Sequence, residues 1–252
     1  MKKQTYFYSL MILFFLFSSA VLFGEPDFKK MLSEIDSLGS FRENDFSCIY
    51  TIVSEKPDED TSVTQVKMFR RDKTDQFVLL ILQPEVQKGQ GYLQLEDNIC
   101  FYDPESRKFS HSSLRENIQG SDAKNSDLKE PSLAEDYSVD TWSEGTLGKY
   151  QVYILDLTAL NDETSYPKMK IWIRKDINIV LKVENYGLSG RLMRTVYYPN
   201  YIKIGGKMLP SRILLKDELK IGEKTQLTMK DVSIADIPDY VFTKSYLEKV
   251  NR

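Results

Sequence analysis

The stretch PEVQKGQGYLQLEDNICFYDPESRKFSHSSLRENIQGSDAKNSDL, Pro84 to Leu128, decides how the rest of the chain is read. Tyr92, Leu93 and Leu95 precede Asp97-Asn98, and Ile99, Cys100, Phe101 and Tyr102 follow it. An Asp-Asn pair between two apolar runs predicts a hairpin. Asp103-Pro104 predicts a second turn, because proline presets φ and aspartate hydrogen-bonds its own backbone. Arg107, Lys108 and Phe109 then return as a short strand. Beyond them the apolar pattern stops. Gly120 to Leu128 is a polar loop rich in Gly, Ser, Asp and Asn, with Ser126 or Asp127 placed to cap a following turn.

Upstream, Asp27 to Leu38 carries Phe28, Met31, Leu32, Ile35 and Leu38 at the spacing of an amphipathic helix, which Gly39 ends. From Asp45 the period becomes two: Phe46, Cys48, Tyr50 and Ile52 share a strand face. Val63–Arg70 and Gln76–Leu82 are the next strands. Downstream, Arg115 to Glu135 is one long irregular region, the kind that forms a lid or a mobile segment. Within and beside it, Ser112–Ile118 is expected as a short helix and Ser132–Asp136 as a single turn after Pro131. Strands then follow in quick succession: Tyr137–Glu144, Lys149–Leu160, Lys168–Arg174, Ile179–Tyr186, Arg191–Tyr198, Tyr201–Leu215 with a hairpin at Gly205-Gly206, and Thr225–Ile234. Asp239 to Lys249 is a short docking helix or coil.

So many strands with so little helix between them predict a mainly β chain with a few helices, built on one antiparallel sheet. No internal repeat or linker divides residues 25–252. Several strands are apolar on both faces: Val152 and Ile154 oppose Tyr153, Leu155 and Leu157, and Met169, Ile171 and Ile173 oppose Trp172. A sheet wet on one side alternates more cleanly. Either a sandwich covers both faces, or the sheet curls around an apolar interior.

Residues 1–24 read as a cleaved signal peptide: Lys2 and Lys3, an apolar run from Leu10, then Ser18, Ser19, Ala20 and Gly24. That places the mature protein outside the cytoplasm. The net charge of −3 offers no footprint for nucleic acid. Cys48 and Cys100 are expected as two independent buried thiols rather than a disulfide. His111 is the lone histidine, so neither a zinc site nor a Ser-His-Asp arrangement has its usual residues. Neither a P-loop nor a G-x-S-x-G elbow is present. Asp122 and Asp127 are the remaining foothold for a carboxylate hydrolase or a calcium ion. Loop capping accounts for them more simply, and no metal, cofactor or catalytic residue is assigned.

The order K-G-Q-G-Y-L, F-Y-D-P-E-S-R-K-F, G-S-D-A-x-N-S-D-L resembles the LolA-like outer-membrane lipoprotein-sorting proteins, in the branch described from spirochaetes and other bacteria with two membranes. Gly89, Gly91, Asp103, Pro104, Gly120, Asp122 and Asp127 carry the motif as turn architecture. Cys100 departs from it, standing where an aromatic residue is expected. The resemblance implies a half-open antiparallel β-barrel with a helical plug or lid. It also implies a periplasmic carrier that holds lipoprotein or lipid acyl chains in an apolar cavity. Loading would be at an inner-membrane exporter of the ABC or RND type, and delivery at the outer membrane. An envelope sensor or adaptor for a membrane protein is the alternative on the same fold. Adaptable aromatic and Met side chains then become lipid-binding candidates: Tyr50, Met68, Tyr92, Phe101, Tyr153, Trp172 and Met193. A slip of one residue in register would turn any of them to the other face.

Overall fold

The computed structural model describes residues 26–95, 98–162 and 164–250. The leader expected over residues 1–24 lies outside them, as does Asp97 of the expected turn. Helix α1 (Phe28–Gly39) starts at Asp27, whose Oδ1 accepts the Lys30 N–H at 2.9 Å, and buries Phe28, Met31, Leu32 and Ile35. Six strands follow in a meander: β1 (Phe46–Glu55), β2 (Ser62–Arg71), β3 (Gln76–Gln83), β4 (Gly91–Leu95), β5 (Asn98–Asp103) and β6 (Lys108–Ser112). After residues 113–132 and the single turn α2 (Leu133–Asp136) come β7 (Tyr137–Leu147), β8 (Tyr150–Ala159), β9 (Lys168–Arg174) and β10 (Ile179–Tyr186). Then come β11 (Leu192–Ile204), β12 (Lys207–Asp217), β13 (Lys224–Ser233) and α3 (Lys244–Lys249).

Among the described residues 13 strands lie in one antiparallel sheet, in the order β6-β5-β4-β3-β2-β1-β13-β12-β11-β10-β9-β8-β7. The sheet is open, with β6 and β7 at its two ends. These end strands are consecutive in the chain, so residues 113–136 must cross the whole sheet to join them. The sheet also curls. Helix α1 is ~18 Å long at 1.5 Å per residue, yet it touches both β12 and β7. In a flat sheet those strands would lie ~24 Å apart. The Phe28 ring meets Trp142 of β7 and Tyr153 of β8 at centroid distances of 5.1 and 5.8 Å. This is the half-open, plugged antiparallel arrangement that the resemblance implies.

One core takes in inner-face residues from β5 through β1 and β13 around to β7, with α1 and the crossing segment. A second, smaller core lies on the outer face of β3–β5. There Val78, Leu80, Leu93 and Tyr102 meet Ile237, Val241, Phe242 and Leu247 of the C-terminal segment. That covering explains why β3 is apolar on both sides. At Gly91 an added Cβ would stand 2.7 Å from the Leu79 carbonyl oxygen and 2.9 Å from Leu247, so glycine is what lets α3 approach.

Three local expectations change. Arg191–Tyr198 and Tyr201–Ile204 form one strand, β11, which runs through register shifts around Asn200 where Pro199 interrupts the pairing. No helix spans Ser112–Ile118: Ser112 ends β6, and the helical turn is Ile118–Gly120. The crossing segment is a packed plug, because Ile118, Ala123 and Leu128 are buried in the main core. Cys48 lies on the inner face of β1 and Cys100 packs on the outer face of β5, four strands away, and both are free thiols.

Candidate functional site

The motif residues build the plug and its anchorage. Asp103 closes its turn by accepting the backbone N–H groups of Glu105 and Ser106 and the Ser106 hydroxyl, at 3.2, 3.3 and 2.8 Å. Those bonds, the Ser106 hydroxyl first, hold its carboxyl below the usual range. Gly89 and Gly120 have φ of 85° and 72°, a region that favours glycine. The Gly89 N–H donates to the Ile81 carbonyl at 2.9 Å, which sets the return into β4.

Asp127 and Asp122 tie the plug to the sheet. Asp127 receives Arg194 of β11 in a two-pronged ion pair, Nη1 to Oδ2 at 2.7 Å and Nη2 to Oδ1 at 2.6 Å, and also caps the Lys124 N–H at 2.7 Å. Burial opposes the Arg194 charge, and Asp127 more than offsets it, so the guanidinium pKa is raised. Asp122 accepts the Thr225 hydroxyl at 3.0 Å and its N–H donates back to that oxygen at 3.2 Å. Burial pushes its carboxyl up. Asp122, Asp217 and Glu223 bring carboxylate oxygens within 4.8 Å of one another, but Lys220 Nζ lies 3.2 Å from Glu223 and supplies the positive charge there.

At the other end of the plug, Arg70 of β2 holds Asp72, with Nε 2.6 Å from Oδ1, and donates to the carbonyls of Gly39, Leu128 and Lys129. It thus joins the end of α1 to the plug. Asp36 of α1 accepts the N–H groups of Leu133 and Ala134 at 2.9 and 2.8 Å, starting α2. Burial raises the Asp36 carboxyl as well.

Between these covers and the sheet lies a cavity of about 690 Å³. Its wall is the inner face of β9–β13 and β1, where Met169, Val183, Val196, Ile213, Leu215 and Met229 present apolar side chains. Its roof is α1, residues 126–132 and α2. Polar groups gather at one side: Asn185, Arg194, Asp127, Ser126 and Ser165. The Tyr198 hydroxyl is pushed up to about 12 by burial, and the Tyr201 hydroxyl donates to the Val180 carbonyl at 2.5 Å.

Of the seven aromatic and Met candidates, Tyr50 lines this cavity. Met68 and Tyr92 are buried in the solid part of the same core, with Phe101 packed against it at 5.0 Å from the Tyr92 ring. Tyr153 packs on Phe28 near the free edge. Trp172 and Met193 face outward: Trp172 pairs across the sheet with Lys182, whose Nζ sits 4.2 Å over its ring, and Met193 is next to the inward Arg194. The register that separates these sets depends on pairing partners, which no local pattern contains. Arg70 and Arg194, which anchor the plug, are not among the residues that the sequence pattern singles out. The available signal was an arginine placed on the apolar face of a strand.

A family model whose description reads "Uncharacterized protein" matches residues 73–249. No curated protein matches the sequence. Among solved structures, a LolA superfamily protein from Nitrosomonas europaea is 25% identical, with a TM-score of 0.76 over 86% of this chain and 98% of its own. An outer-membrane lipoprotein-sorting protein domain from Vibrio parahaemolyticus is 19% identical, with a TM-score of 0.76 over 88% of this chain and 98% of its own. A DUF1329 family protein from Desulfovibrio piger is 19% identical, with a TM-score of 0.76 over 87% and 97%. The last two likenesses concern the fold.

Proposed function

This chain belongs to the LolA-like family of outer-membrane lipoprotein-sorting proteins, and from that premise we propose that it is a periplasmic carrier of acyl chains. It would take lipoproteins or lipids from an exporter in the inner membrane and deliver them to the outer membrane. The observation that carries this reading is the 690 Å³ cavity between α1, the plug and the inner face of β9–β13. That volume falls within the ~300–1,000 Å³ usual for small-molecule sites. Each CH₂ moved from water into such a space contributes about 0.8 kcal/mol, without any catalytic group. Polar ties at Asp36, Arg70 and Asp127 hang the roof over this space, beside the apolar contacts of α1 and Leu128 with the core. Asp122 and Asp127 bond to Thr225 and Arg194 in the plug's anchorage, which supports the carrier over a hydrolase.

The test is native mass spectrometry of protein purified from the periplasm, joined to titration with a fluorescent fatty acid. An acylated species should co-purify, and the probe should bind. Val183→Trp, which fills the cavity, should weaken probe binding at least tenfold. Absence of both signals would refute the carrier. Recovery of a membrane protein with an empty cavity would favour the adaptor instead.

A further inference from the structure

Asn185 lies on β10, paired across the sheet with Met169 of β9 on one side and Arg194 of β11 on the other. It shares the inner face with Val183, is only 2% exposed, and lines the cavity. A carboxamide offers two donors and an accepting oxygen. Among the described residues none bonds to it, which is costly for a buried polar side chain and calls for a physical reason. Its neighbour Arg194 spends its Nη atoms on Asp127 and the Asp122 carbonyl, while its buried Nε has no partner. The charge here is already balanced by Asp127. A carboxylate would arrive as an extra buried charge, whereas a neutral acceptor would not.

We propose that Asn185 and Arg194 form a hydrogen-bonding subsite for the uncharged carbonyl of an acyl ester or amide. The carbonyl oxygen accepts from the Asn185 carboxamide, and the hydrocarbon lies against Met169, Val183 and Val196. This rests on the carrier reading and names which end of the cargo the cavity recognises.

The experiment is displacement of a fluorescent fatty acid from the full mature chain by four ligands of equal chain length. These are 1-monopalmitoylglycerol, an N-palmitoylated short peptide amide, hexadecyl methyl ether and palmitate. At least one carbonyl ligand should outcompete the ether by about tenfold and palmitate by at least as much. The stronger of the two distinguishes a glycerolipid source from an acylated peptide. In Asn185→Leu, which keeps the branching of the side chain and removes its polar atoms, the preference over the ether should fall below about twofold while the ether still binds. Equal competition by ester, amide and ether in the unaltered protein overturns the subsite and leaves the carrier standing, and it needs no variant to fold. An unchanged preference in Asn185→Leu also overturns it. Failure of every alkyl ligand to bind overturns the carrier and the subsite together.

Discussion

Strands β3 (QFVLLILQ) and β10 (IVLKVENY) belong to one sheet and turn β-branched and aliphatic side chains to the same inner side. Around β3 that side is filled. Phe77, Leu79 and Ile81 are buried, and among the described residues lining the cavity none comes from β3, β4 or β5. Around β10 the same kinds of side chain border open space. The difference lies in the cover. The plug presses Ile118 and Ala123 into the core, whereas α1 and α2 bridge β9–β13 at a distance. Hollowness is therefore a property of how a cover is hung, here on Arg70, Asp36 and the Asp127–Arg194 pair, and not of the residues beneath it.

The strongest challenge to this contrast is to cut the hanger. Asp127→Ala leaves the Arg194 charge buried and unpaired and should cost ~3–5 kcal/mol in urea denaturation. Adding Arg194→Met should recover a large part, because the lone charge goes too. Next, Leu79→Ala in the filled region and Leu209→Ala on the cavity wall make the same truncation at buried leucines. Leu79 should cost ~4 kcal/mol and Leu209 at least ~1 kcal/mol less, since a side chain beside a void loses fewer contacts. Equal costs would erase the contrast. Gly91→Ala, which sets a methyl against the Leu79 carbonyl and Leu247, should cost ~1–3 kcal/mol through overpacking of the outer-face core under α3. The smallest effect concerns pH. Burial holds the Asp122 carboxyl above its ordinary 3.8. Its contribution to stability is thus full below that value and lost as pH rises through the folded value. Against Asp122→Asn, the unaltered protein should gain stability as pH falls from neutral toward 4, read from urea midpoints.

Much of the architecture was legible. Lys168–Arg174 and Ile179–Tyr186 are strands with the expected bounds, and α1 follows the spacing of Phe28, Met31, Leu32 and Ile35. These are local patterns of period and capping. The longer reach of β11 was hidden by Pro199, which looks like a terminator until a bulge absorbs it. The cavity wall was less legible. Of the aromatic and Met candidates, Tyr50 borders it, while Trp172 and Met193 turn outward. Arg194 meets Asp127 from 67 positions away, a distance over which no spacing rule operates.

By itself the sequence determined an antiparallel sheet with strands apolar on both faces, an amphipathic helix ahead of it, and the turns of the motif that mark the family. Tertiary structure alone decided which strands meet which cover and where a gap is left between them. Alternation along a strand is set by backbone geometry within a few residues, while a hollow depends on contacts between segments far apart in the chain.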